Sequence, residues 1–265
     1  MSRLRLSDLP PIAPAGVSPA EVAAALRENR IELAFQPVMQ ARDMAQVAFH
    51  EVLMRLRRRD GSILNAGAFL PQIERTALGR ALDRRVLRLG LDFLAANPQM
   101  RLAINASPPS LKDPAWLSQL QRHLRDDPCM AERLILEITE SAVLNLPDIG
   151  PCLKQLHRMG LSLALDDFGA GATSFGHFRD FRFDILKIDG RYSRQVERDG
   201  DHQILFDALL SIARHFDMLT VAEAVETHAS AAYLASIGVD CLQGYALGRP
   251  APRPLWPNSA SELVS

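Results

Sequence analysis

The sequence predicts a (β/α)8 barrel with an irregular, antiparallel start, and three observations carry that prediction. Eight short apolar runs, at 32–38, 47–54, 101–106, 133–139, 162–167, 184–189, 219–224 and 241–246, read as buried strands. Most gaps between them are long enough for a helix, with the clearest helical periodicity at 81–96, 147–159, 202–216 and 228–237. Only the gap at 39–46 holds no helix, so the first two strands pair antiparallel through a hairpin-like turn. The rival α/β arrangement, a doubly wound open sheet, lacks support because no Gly-x-Gly-x-x-Gly follows the first strand.

The chain divides into a leader, a barrel and a tail. Residues 1–17, with Pro10, Pro11 and Pro14, read as a flexible leader. The barrel domain spans 18–250. Ser18 caps its first helix, Pro19 suits the first helical position, and Glu21 completes a capping box for a helix running to about Asn29. Residues 251–265 form an irregular tail near Pro252, Pro254 and Pro257. The 265 residues can bury a large core, and no second linker divides the strand–helix alternation.

Composition excludes several classes of function. A formal net charge of −1 offers no field for a nucleic-acid polymer or an anionic membrane, although a small anion remains compatible. Cys129, Cys152 and Cys241 have no metal-ligand spacing and read as reduced thiols in a cytoplasmic protein. No apolar stretch approaches a membrane-spanning length.

Each apolar run carries a polar side chain at or near its end: Gln36, Glu51, Asn105, Glu137, Asp166 with Asp167, Lys187 with Asp189, Glu223 and Gln243. Barrel strands converge at their C-terminal ends on one mouth, where barrel enzymes do chemistry. Asp166-Asp167 alone reads as a solvated turn after a strand. Acids from five strands on one rim are electrostatically expensive without a cation, which packing alone does not supply. Oxygen donors of this kind suit Mg2+ or Mn2+ and the two-metal hydrolysis of phosphoesters. Lys187 either orients water and neutralises charge, or simply pairs with Asp189 or Asp166. Arg55 lies just beyond Glu51 and suits a phosphate. His50 faces away from Glu51 on its strand, and the histidines at 123, 157, 202, 215 and 228 read as surface or packing residues. Asp167-Phe168-Gly169 is no kinase signature, since neither a His-Arg-Asp loop nor a Gly-rich loop accompanies it.

These residues resemble the EAL domains, bacterial phosphodiesterases specific for cyclic di-GMP. The likeness covers roughly residues 20–250. It rests on Glu51-Val52-Leu53 with Arg55, Asn105-Ala106-Ser107, Glu137-Ile138-Thr139-Glu140, Asp166-Asp167-Phe168-Gly169, Lys187-Ile188-Asp189, Ala222-Glu223-Ala224-Val225-Glu226 and Gln243-Gly244-Tyr245. The resemblance implies a barrel with its first strand antiparallel and two divalent cations held by Glu51, Asn105, Glu137, Asp166, Asp167 and Glu223, with Asp166 bridging. It implies that Lys187 sits at the nucleophilic water, that Glu140 holds the loop after Asp167, that Glu226 supports the site, and that Gln243 lies near metals or water. Gln36 and Arg55 would contact the ligand, with Leu53 and Asp189 beside them. A homodimer is also implied; the crowded aromatics Phe175, Phe178, Phe181 and Phe183 either offer its contact or simply pack their helix onto the barrel. Ca2+ is expected to inhibit. Three departures stand out: Glu-Val-Leu in place of Glu-Ala-Leu, no aromatic near Ala172, and Ala224 where the family has glycine. The expected activity is hydrolysis of cyclic di-GMP to pGpG; the alternative is a receptor that binds without cleaving.

Overall fold

The structure, a computed structural model, describes residues 17–145, 149–170 and 181–254. Nine strands occur among the described residues: β1 (Ile31–Gln40), β2 (Asp43–Arg57), β3 (Ile63–Asn65), β4 (Leu102–Asn105), β5 (Leu134–Thr139), β6 (Ser162–Phe168), β7 (Ile185–Ile188), β8 (Leu219–Ala222) and β9 (Cys241–Leu242). Their order, β1-β9-β8-β7-β6-β5-β4-β2-β3 with β1 also paired to β2, closes eight strands into a barrel and leaves β3 outside, on β2. The strand β1 runs antiparallel to both neighbours, β2 and β9, whereas the pairs from β2 through β4 to β9 are parallel. The short gap at 39–46 is therefore the predicted hairpin, and the barrel class holds. The three-residue β3 was not expected, because Ile63 and Leu64 are too brief a run to announce a strand.

Helices lie where the periodicity placed them, with shifted ends. The helix α1 (Pro19–Arg27) is capped by Ser18, whose side chain accepts from the Glu21 amide. The Glu21 carboxylate pairs with Arg58 of the hairpin, tying helix to strand. The short α2 (Leu70–Ile73) leads to α3 (Ala77–Ala96), which starts four residues before the expected 81 because the Thr76 side chain caps the amides of Leu78 and Gly79. Then come α4 (Pro108–Leu111), α5 (Pro114–Asp126), α6 (Glu140–Asn145) and α7 (Ile149–Arg158). Beyond β7 lie α8 (Gly190–Ser193), α9 (Gly200–His215) and α10 (His228–Ser236). None is long and apolar enough to cross a membrane.

The barrel interior explains where the site sits. Val38, Phe49, Ala103, Ile135, Ala164, Ile185, Val221 and Cys241, one from each barrel strand, form a buried apolar plug. Side chains on a strand alternate between faces, so the next inward residues lie two positions along. Those are Glu51, Asn105, Glu137, Asp166, Lys187, Glu223 and Gln243, and, on the reversed first strand, Gln36. All the polar residues singled out at the strand ends except Asp167 and Asp189 are thus one interior layer of the barrel; Asp167 has the opposite facing on β6, and Asp189 lies beyond the end of β7. His50 has the opposite facing and is buried outside the barrel wall; desolvation pushes its imidazole down to about 4, so it stays neutral.

The four phenylalanines divide. Phe183 is buried in the core and Phe181 is partly buried against it, so these two serve packing. Phe175 and Phe178, like the loop position Ala172, lie outside the described residues.

Candidate active site

Lys187 stands at the centre of the polar layer. It is 1% exposed, and its Nζ lies 2.8 Å from Asp166 Oδ1, 3.0 Å from Glu137 Oε1, 3.0 Å from Glu223 Oε1 and 3.6 Å from Glu51 Oε2. Lys187 therefore pairs with four acids of its own layer. It does not pair with Asp189, whose carboxylate instead caps α8 by accepting from the Arg191 amide at 2.7 Å. Desolvation works against the Lys187 ammonium, but the attraction of Asp166, Glu137, Glu223 and Glu51 outweighs it and holds the group well above its ordinary value. Burial, with the crowding of neighbouring acids, pushes Glu137 well above the carboxylate range and Glu223 up to about 8 despite Lys187. Partial desolvation and the adjacent Asp166 also raise Asp167.

Amide side chains knit the ring together. Asn105 Nδ2 donates to Glu51 Oε1 at 3.2 Å and to Glu137 Oε2 at 3.3 Å. Gln243 Nε2 donates to Glu51 Oε2 and to Gln36 Oε1, and Gln36 Nε2 donates to the Gly248 carbonyl. Glu140 accepts from the Gly169 amide at 3.1 Å, a contact with the turn after Asp167. Glu226 stands apart: it is exposed on the outer cavity wall, 3.7 Å from Arg194, away from the acid cluster.

The layer fits a divalent cation. Four carboxylates around one ammonium leave an excess of negative charge in a water-poor site, which only a cation or protonation relieves. One oxygen each of Asp166, Asp167 and Glu223 lies within 4.8 Å of the others, close enough for one ion. The donors are carboxylate and amide oxygens, the preference of Mg2+ and Mn2+ rather than zinc.

Two cavities flank the layer. The first, of about 510 Å3, is lined by Gln36, Glu51, Asp167, Asp189, Glu223, Gln243 and Tyr245, among others. The second, of about 260 Å3, is lined by Leu53, Asp83, Asn105, Ser107 and Glu137 with apolar neighbours. Arg55 donates to the Met54 carbonyl, and burial lowers its guanidinium's pKa against the pull of Tyr245 and Glu51. Sequence reasoning gave no role to three residues here. Tyr245 is 56% exposed with Arg249 stacked 4.3 Å from its ring centre. Asp83 accepts from the hydroxyls of Ser107 and Ser110, bracing the turn after Asn105. Tyr192 reaches Gly169 from the other side of the turn. Only Tyr245 left a signal, its place two residues beyond Gln243.

A family model described as EAL domain matches residues 20–250, the span that holds every member of this ring. The chain belongs to the EAL family. It is 33% identical over 234 residues to the cyclic di-GMP phosphodiesterase PdeF of Escherichia coli K12, an alignment covering 86% of this chain and 31% of PdeF. The chain spans about a third or less of the length of such curated relatives. Among solved structures, it is similar to the PaMucR phosphodiesterase in complex with c-di-GMP (TM-score 0.77, 28% identity, 88% of this chain and 96% of that one). It is also similar to the EAL domain of FimX from Pseudomonas aeruginosa bound to c-di-GMP (TM-score 0.81, 26% identity, 88% and 96%).

One departure from the EAL pattern carries a strain. Ala224, directly after Glu223, has φ +50, and a Cβ on the facing Gly190 would meet its own Cβ at 2.4 Å. A left-handed residue with a side chain costs about 1–2 kcal/mol. Ala224→Gly is expected to raise stability by up to about 1 kcal/mol, because the freer unfolded chain offsets part of the relief. An increase in the urea midpoint at unchanged slope checks this.

Proposed function

We propose that this chain is a divalent-metal-dependent phosphodiesterase that hydrolyses cyclic di-GMP to linear pGpG. The observation that carries this reading is the polar barrel layer, in which four carboxylates and three amides surround one ammonium at the mouth. The flanking cavities support it, since both are lined by acids of the layer, Glu51 and Glu223 in one and Glu137 in the other.

Glu51, Asn105, Glu137, Asp166, Asp167 and Glu223 would hold two ions, with Asp166 shared. Bound Mg2+ or Mn2+ supplies charge to the phosphodiester oxygens and acidifies water. Lys187 keeps its proton among the carboxylates, so it orients the water and stabilises charge on phosphorus instead of acting as the base. Water attacks phosphorus in line, the P–O3′ bond breaks, and the ring opens to a 5′-phosphate and a 3′-hydroxyl. Gln36, Arg55, Leu53 and Asp189 hold the nucleotide, Glu140 and Gln243 support the ring, and Glu226 contributes only from the outer cavity wall. A homodimer beside the turn after Asp167 and a cytoplasmic location belong to the same proposal.

Incubation of purified protein with cyclic di-GMP, followed by nucleotide chromatography, is expected to yield pGpG only when Mg2+ or Mn2+ is added. Ca2+, larger and a poor activator of water, is expected to support binding and suppress turnover. Tight binding without product in Mg2+ or Mn2+ makes the chain a receptor. Equal rates in Ca2+ and Mg2+ mean that the ions do not generate the nucleophile.

A further inference from the structure

The irregular end of β6 holds Asp167 in a conformation that a residue with a side chain adopts reluctantly. Asp167 has φ +55 and Gly169 φ +88, and the Ala170 amide closes the turn on the Asp167 carbonyl at 3.0 Å. A backbone so disposed persists only where its surroundings restrain it. Glu140 restrains it from the β5 side through the Gly169 amide. From the β7 side, the Tyr192 hydroxyl donates to the Gly169 carbonyl at 3.0 Å. The Tyr192 ring lies so close that a Cβ on residue 169 would stand 2.5 Å from a ring carbon. Gly169 is thus held at its N–H by Glu140, the first residue of α6, and at its carbonyl by Tyr192 of α8.

Tyr192 also sits where it can tie two parts of the site together. It belongs to α8, whose amide at Tyr192 donates to the Asp189 carbonyl, while the Asp189 amide donates to the Phe168 carbonyl at 3.2 Å. Asp167 and Asp189 line the same cavity. We propose that Tyr192 is a positioning residue: its hydroxyl fixes Gly169, and through it the carboxylate of Asp167, against the strand end that carries Lys187 and Asp189. This rests on the reading of Asp167 as a metal ligand. A loosened turn would leave Asp167 spread over several orientations, so metal affinity falls before the fold does.

Tyr192→Phe keeps the ring and removes only the donor, so packing against Gly169 survives. Mn2+ binding without nucleotide, followed by the magnetic-resonance signal of the free ion, is expected to weaken about fivefold, the equivalent of one hydrogen bond. Amide hydrogen exchange over 166–170 is expected to quicken, and the Mg2+ concentration for half-maximal hydrolysis to rise by a similar factor with kcat at saturating metal little changed. Equal Mn2+ affinity in the variant and the unaltered protein overturns the role of Tyr192 and leaves the metal centre standing. A lowered thermal transition with unaltered Mn2+ affinity also overturns it, since that pattern marks packing alone. Unaltered protein that takes up no Mn2+ overturns the metal centre itself, and this proposal with it.

Discussion

Asp166→Ala is expected to abolish hydrolysis of cyclic di-GMP, lowering kcat by about a thousandfold or more, while the protein stays folded. The size follows from what Asp166 touches. Its Oδ1 is the nearest acid to Lys187 Nζ at 2.8 Å, and it shares the ion-sized cluster with Asp167 and Glu223. Loss of a single preorganised electrostatic group in a dry site typically costs about 10²–10³ in rate, and a shared ligand disturbs more than one such contact. The fold tolerates the change for the opposite reason. With four acids around one ammonium, removing one relieves repulsion in the metal-free protein. Normal turnover by the variant, in an assay where the parent chain is active, would falsify the two-ion assignment. Unfolding of the variant would show that Asp166 is chiefly a counter-charge for Lys187.

Lys187→Met is expected to act the other way round, on stability first. Methionine has a similar length and no charge, so the packing volume is roughly kept while the only ammonium of the layer is lost. Four carboxylates then face one another with no cation between them. Removing one partner of a buried charge cluster costs about 3–5 kcal/mol, which for a domain of this size lowers the thermal midpoint by roughly 10 °C. Added Mn2+ is expected to restore most of that midpoint, because a divalent cation offsets the same repulsion. Hydrolysis is expected to stay impaired even in the restored protein, since Mn2+ cannot take the water-orienting role proposed for Lys187. Calorimetry with and without Mn2+ measures both halves. A metal-free variant as stable as its parent would mean that the acids relieve themselves by protonation, with Lys187 a bystander in the fold.

The sequence by itself determined the barrel and its polar ring. Period-two alternation forces any residue two positions beyond the apolar plug to face inward, so Val221 in the floor puts Glu223 in the mouth, and Ile185 does the same for Lys187. The hairpin start was equally legible, because the eight residues at 39–46 between two apolar runs leave no room for a crossover helix, and the strands extend into that gap until two residues separate them. Capping chemistry was local as well, as at Ser18.

Only the tertiary structure decided the contacts that cross between strands. Lys187 was read as pairing with Asp189 or Asp166, or as serving water; the pair with Asp166 forms, the one with Asp189 does not, and Glu51, Glu137 and Glu223 converge on the same ammonium. That convergence depends on barrel closure and register, which no local pattern encodes. The left-handed turn at Asp167 was likewise invisible, because a backbone dihedral forced by packing leaves no mark on residue type, whereas at Ala224 the missing glycine marked the position and only the structure supplied the dihedral. Tyr192 and Asp83 were missed for the same reason: each acts on a residue more than twenty positions away, through a hydroxyl or carboxylate that looks like any other in the chain. Residue types and their period set which side chains face the mouth. Which of them touch is a property of the closed barrel.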